Sequence, residues 1–305
     1  MILSGRLHEI AISGMVNDCT ICSISRISFP LSSIRPHSAA VQASANVIRQ
    51  SLAAYPQMML RRSTFPPFIH PHQDKSKLPV PLANCMGIAV LYAARNKDTQ
   101  AFLWKTIRDE QERCLREMTV WSKHDVFAAM QSQLIYIMMR VVDGCCCGGV
   151  QDREYNTGML LAYKGFWSQL IALNVTSCNA AVSKIIEWED WVLEESLARI
   201  ACVWFLVAQI SSVRMGMPCG ILDAWHNLRL PCHQSQWTAN TSDEWREETE
   251  ALSNMRNLDK RPVTFGDLYE ANKGANHQAV IDRLDVWNAG VDNLGVLLNV
   301  AVNMI

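Results

Sequence analysis

From Leu82 to the C-terminus, apolar residues recur every third or fourth position, the period of a helix with one face turned inward. Leu82, Met86, Ala89 and Ala93 share one such face. Thr99 is placed to cap a helix that carries Leu103, Ile107, Cys114 and Met118 inward and Lys105, Arg108, Glu112 and Arg116 outward. Ser122-Lys123-His124-Asp125 reads as a capping-box start. The helix it opens has Val126, Met130, Leu134, Ile137 and Val141 on a stripe and stops at Gly144. Further helices are predicted over 156–173 and over 180–214, the latter as one long helix or two with a bend. Met217-Pro218 and Leu230-Pro231 punctuate the chain. An acidic helix over 242–255 follows, then a short one from Thr264-Phe265-Gly266-Asp267 to Gly274, and a last amphipathic helix from Gln278 onward. No run alternates apolar and polar residues with β-branched enrichment, and no repeat of fixed period is present. The fold class predicted is all-α, a single large helical domain over 55–305.

Two stretches depart from this period. Residues 1–54 are rich in Ser, Ile and Arg, with Glu9 and Asp18 as the acids, and are expected to form a poorly ordered basic leader. Its Arg6, Arg26, Arg35 and Arg49 are dispersed, which allows only a salt-sensitive, non-specific attraction to phosphates. The second stretch is Leu60-Arg61-Arg62-Ser63-Thr64-Phe65-Pro66-Pro67-Phe68-Ile69-His70-Pro71. Its three prolines forbid a helix and a central strand. An extended proline-rich strap is expected, with Phe65, Phe68 and Ile69 lying on an apolar surface.

Composition adds limits. Of 305 residues, 49% are apolar and 19% charged, which suits a sizeable core rather than disorder. The net charge of −1 argues against a compact nucleic-acid binder, which normally carries a basic excess. The eleven cysteines lie among apolar residues, with Cys145-Cys146-Cys147 consecutive, and Arg6, His8 and Glu9 interrupt any signal-like run. Reduced thiols in an intracellular setting are expected, so the sequons at Asn174 and Asn240 carry no weight. The most apolar run, 200–213 between Arg199 and Arg214, spans fourteen residues where a bilayer needs about 20, so no membrane partner is expected.

Several landmarks stand in a characteristic order. Tyr55-Pro56-Gln57-Met58-Met59-Leu60 precedes the Pro66-Pro67-Phe68-Ile69-His70-Pro71 strap, and Leu82-Ala83-Asn84-Cys85 opens the first helix. Trp104 to Arg113 carries a Trp-x-x-Ile-x-x-Glu-x-x-Arg pattern; Ala129, Gln131 and Ile135-Tyr136 follow. Next come Trp188-Glu189-Asp190-Trp191, the patch Glu195-Ser196-x-x-Arg199 with Ala198 where a second arginine is expected, and Leu230-Pro231-Cys232 before Trp237. Over residues 55–250 this set resembles the regulatory region of fungal six-cysteine zinc-cluster transcription factors. The resemblance implies a nuclear transcription regulator without catalytic residues, which controls a gene set such as a metabolic cluster. It also implies the transcription machinery or related factors as partners, and a small-molecule effector. The strap residues Pro66, Pro67, Phe68 and His70 and the patch Glu195, Ser196 and Arg199 are its candidate functional positions, read as architectural. Zinc belongs to that family's DNA-reading module, which needs six thiolates within a few tens of residues. Here Cys19-Thr20-Ile21-Cys22 is followed next by Cys85. The expectation is that this chain holds no zinc and reaches DNA only through a missing module or a partner protein. A partner-binding protein that dampens such factors is the alternative.

Cys19 and Cys22 make half a metal site at most, and His70-Pro71-His72 reads as strap before ligand. Cys145–Cys147 before Gly148-Gly149 reads as a cysteine-rich helix-ending loop rather than a redox or lipidated cluster. Asp243, Glu244, Glu247 and Glu248 share a helix face; a metal-dependent prenyl-transfer enzyme would use such acids, but a second aspartate-rich cluster is missing. Trp188 and Trp191, three apart, are core or pocket walls.

Overall fold

The computed structural model describes residues 38–61, 64–71, 78–143, 150–173, 187–215, 225–255, 262–274 and 278–305. They are all-α: eleven α-helices, joined among the described residues by a single isolated bridge between Arg229 and Thr264. Cys19, Cys22, His72 and Cys145–Cys147 lie outside the described residues.

The first helix, α1 (Ala39–Met58), corrects the expected leader, which is helical from Ala39 onward instead of unstructured to residue 54. Val41, Ala45, Ile48, Leu52 and Tyr55 are buried, in steps of four and three residues. Interleaved Ala and Ser mask this stripe in the sequence, because small residues weaken the contrast between faces. Pro56 sits in the last turn, and the helix ends two residues later.

By its internal contacts the all-α region divides into two compact units. The first takes Gln50–Ile69 and Gln73–Val182; the second takes Ser28–Arg49, His70–His72 and Ser183–Ile305. Helix α1 and the strap contribute residues to both.

In the first unit α2 (Val80–Ala93), α3 (Gln100–Glu117) and α5 (Val150–Ala172) pack around α4 (Lys123–Val142). Ser122 caps α4 as expected, its hydroxyl accepting from the Asp125 N–H at 3.2 Å. Every residue from Val126 to Arg140 is buried, so α4 is a central rod rather than a helix with one inward stripe. A rod buried all round must satisfy its polar groups internally, and four of them, Gln131, Ser132, Gln133 and Arg140, bond a neighbour. Ser132 donates to the Pro81 carbonyl at 3.0 Å. Gln133 accepts from Gln111 and donates to the Met159 carbonyl, both at 2.9 Å. The Arg140 Nε donates to Asn156 at 2.9 Å. Helix α2 buries Leu82, Cys85, Ala89 and Tyr92, a stripe rotated from the expected one: Ala93 is exposed. Thr99 stands at the start of α3 without a side-chain cap; the Asn96 side chain accepts from the Asp98 and Thr99 N–H groups there.

In the second unit the long helix α6 (Trp188–Met215) is followed by α7 (Gln234–Thr238), α8 (Ser242–Met255), α9 (Phe265–Asn272), α10 (Gln278–Ala289) and α11 (Asn293–Val302). Helix α6 is long and apolar enough over Trp188–Val213 to cross a bilayer, with 89% of its apolar window buried inside the protein. The fourteen-residue limit read from the sequence fails because Arg199 is fully buried and does not end the apolar stretch. The short helix expected from Thr264 is α9, and Thr264 and Asp267 form a capping box at its start. The last amphipathic helix is two helices: the chain breaks at Gly290, and Asp292 caps α11 by accepting from the Leu294 and Gly295 N–H groups. A side chain at Gly290 would collide with the His233 ring, so this close approach requires glycine.

Candidate functional site

The strap residues fall in both units. In the first, the Ile69 N–H donates to the Pro66 carbonyl at 2.9 Å, closing a tight turn with Pro67 at its second position. The strap is therefore bent rather than extended, because Pro67 presets the turn geometry. Pro66, Phe68 and Ile69 are buried and Pro67 is half-buried. Phe68 meets the Tyr55 ring edge-on at 6.1 Å, and its carbonyl accepts from Gln131 Nε2 at 2.8 Å. The backbone of the strap is thus tied to the central rod.

His70 belongs to the second unit. It is fully buried and stands edge-on to Trp237 at 4.7 Å and Trp188 at 5.9 Å. Enclosure by two indoles is an environment for packing rather than for metal binding.

Beside Trp237 lies the most concentrated chemistry of the second unit. Glu195 and Arg199 stand one turn apart on α6, both fully buried. Arg199 Nε donates to Glu195 Oε1 at 3.0 Å, and the same oxygen accepts from the Cys232 N–H at 2.8 Å. The other Glu195 oxygen pairs with Arg229, and Arg199 also pairs with Asp292. The Arg199 guanidinium lies over the Trp237 ring, 4.1 Å from its centroid. Two arginines thus face two carboxylates in a balanced, largely buried cluster. Burial works against both guanidinium charges, yet Cys232, Glu195 and Asp292 keep the Arg199 pKa above the ordinary value, and Glu195 and Cys232 do so for Arg229.

The cluster clamps the segment 229–233. Cys202 Sγ reaches the Arg229 carbonyl at 3.5 Å, and Trp287 Nε1 donates to the Pro231 carbonyl at 2.8 Å. Leu230-Pro231-Cys232 therefore lies between α6 and the turn after α10. The neighbouring thiols are poor nucleophiles: burial, followed by the Glu195 charge, pushes both Cys202 and Cys232 well above the ordinary thiol range. Ser196 takes no part. Its hydroxyl turns back to the Val192 carbonyl on its own helix, at 2.7 Å.

Of the candidate positions, the structure brings Glu195, Arg199 and His70 to one set of aromatic walls; Pro66, Pro67 and Phe68 serve the first unit. Sequence reasoning missed Arg229 and Asp292. The signal for Arg229 was its place directly before Leu230-Pro231-Cys232, and the signal for Asp292 was an N-cap hidden by merging α10 with α11. The Glu-x-x-Arg pattern of α3 is also an ion pair, Arg113 to Glu110 at 2.7 Å. Burial raises the Glu110 pKa, but hydrogen bonds from Arg113 and Asn84 outweigh it and hold the carboxylate below its usual range.

The acidic face of α8 does not line a cavity of carboxylates. Asp243 is exposed and pairs with Arg246 at 2.7 Å, Glu244 accepts from the Asn240 N–H, and Glu247 is exposed. Among the described residues no three His, Cys, Asp or Glu side chains gather closely enough to hold a metal ion. Trp188 and Trp191 part company: Trp188 meets His70, while Trp191 packs against Trp245 at 5.3 Å. Comparison with protein-family models, curated proteins and solved structures finds no match to this chain.

Proposed function

We propose that this chain is a regulator of transcription whose helical part does the work of a fungal zinc-cluster factor's regulatory region. What supports the reading is that stretches far apart in sequence, each marked by the resemblance, interlock as structural pairs. The strap carbonyl of Phe68 accepts from Gln131. Glu195 and Arg199 hold Cys232, and Arg199 lies over Trp237, which meets His70.

On this reading the protein works in the nucleus and reaches DNA through a separate zinc module or a partner factor, since six closely spaced thiolates are absent from its sequence. The clamp around Glu195 ties the segment 229–233 to α6, and through such packing the second unit restrains or passes on activity. Comparing transcripts in cells with and without the protein tests this. A defined gene set should change, and an unchanged transcript profile, with the protein shown to be present in the comparison cells, would overturn it. Co-purification with a zinc-cluster factor, together with rising target transcripts on removal, would select the dampening form of the same reading.

A further inference from the structure

Helices α9, α10 and α11 border a hollow of about 260 Å³, partly open to solvent, within the second unit. Leu268, Leu284 and Val302 give it apolar walls, while Asn272, Asp285, Asn288 and Asn299 supply its polar lining. Apolar walls with a few convergent polar groups are the usual make-up of a small-molecule site, and this volume suits a ligand of about one ring. Two of the amides orient each other: Asn299 Nδ2 donates to Asn288 Oδ1 at 2.9 Å. That bond leaves the Asn288 NH₂ as a donor and the Asn299 oxygen as an acceptor.

Asp285 is the decisive group, because it is the one ionisable side chain in the lining. Among the described residues it makes neither an ion pair nor a hydrogen bond. The neighbouring cations are engaged elsewhere, Arg283 with Asp267 at 3.7 Å and Lys273 over the Tyr269 ring. A carboxylate without a counter-charge at an apolar hollow favours a ligand that brings one positive charge and a compact apolar body. We propose that this hollow binds small monocationic amines, the ammonium group on Asp285 and the hydrocarbon part against Leu268, Leu284 and Val302. An anion would be repelled, and a neutral isostere would lose the charge-assisted bond.

Titrating the full-length protein with benzylamine, and in parallel with benzyl alcohol, tests this without any transcript and so stands apart from the regulatory reading. Saturable binding of benzylamine is expected, up to about fivefold tighter than benzyl alcohol, since an ion pair to the exposed Asp285 is worth at most about 1 kcal/mol. Asp285→Asn should bring benzylamine down to the level of the alcohol and leave the alcohol unchanged. Because Asp285 is exposed, this variant should fold normally, which an unchanged melting curve checks. Equal binding of the two probes, absence of saturation with the amine, or full amine affinity in Asp285→Asn would overturn the proposal.

Discussion

Replacing Glu195 by glutamine removes one charge from the buried cluster while preserving its shape. The Oε1 position can still accept from the Cys232 N–H, so the clamp on 229–233 keeps one bond. The balance of two arginines against Glu195 and Asp292 becomes two against one, and an amide NH₂ now faces the Arg229 guanidinium. Removing one partner of a buried pair costs roughly 3–5 kcal/mol, most of it the penalty of the charge left behind. The Arg229 side chain is 36% exposed, so water takes up part of its charge and the lower end, about 3 kcal/mol, applies. At about 2–4 °C per kcal/mol, the second unit should melt about 6–12 °C lower. Calorimetry, with tryptophan fluorescence to report the environment of Trp237, reads this. Adding Arg229→Gln restores charge balance and should recover about 1–3 kcal/mol. A shift below about 2 °C in Glu195→Gln, or a double variant as unstable as the sum of the two single changes, would refute the claim that paired buried charge holds this unit together.

The remaining predictions concern packing and titration. Phe68→Ala should destabilise the first unit by about 3–5 kcal/mol, because a fully buried ring is lost and the Gln131-bonded turn beneath it loosens; chemical denaturation measures it. Gly290→Ala should lower the melting temperature of the second unit by pushing the His233 ring away, whereas Gly87→Ala on α2, where an added Cβ meets nothing within 4 Å, should be neutral or stabilise by up to about 1 kcal/mol. Burial pushes the Cys85 thiol from its ordinary 9.0 up to about 12, so the folded state holds a proton that the unfolded chain releases. Stability from this group is therefore complete below pH 9.0 and falls as pH rises towards 12, by about 1 kcal/mol per pH unit. Cys85→Ala should flatten that part of the stability profile, and a slope unchanged by the substitution would contradict the assignment.

Much of the helical order could be read from residues alone because several helices carry local signals. Ser122 with Asp125, and Thr264 with Asp267, place their caps where the backbone needs them. What escaped was set by packing. The α1 stripe of Val41, Ala45, Ile48, Leu52 and Tyr55 is hidden among alanines and serines. The rod α4 is buried on every side, so no polar face marks its orientation; its Gln131, Ser132 and Gln133 read as surface residues until their partners are known. Arg199 looked like the end of an apolar segment because Glu195, one turn away, is only part of its compensation; Asp292, and the Arg229 that shares Glu195, arrive only through tertiary structure. The Gly290 break similarly depends on His233, 57 residues earlier in the chain. Spacing reveals neighbours one turn apart, and the cluster is built mostly from residues that are not.

The regulatory reading meets its most direct test in a tethering assay. The chain is fused to an unrelated DNA-binding module and directed to a reporter promoter, beside the module alone. The account predicts that the fusion raises or lowers reporter output relative to the module, because the helical region carries the regulatory activity. Output identical to the module alone, from a fusion shown to be folded and present in the nucleus, would contradict it.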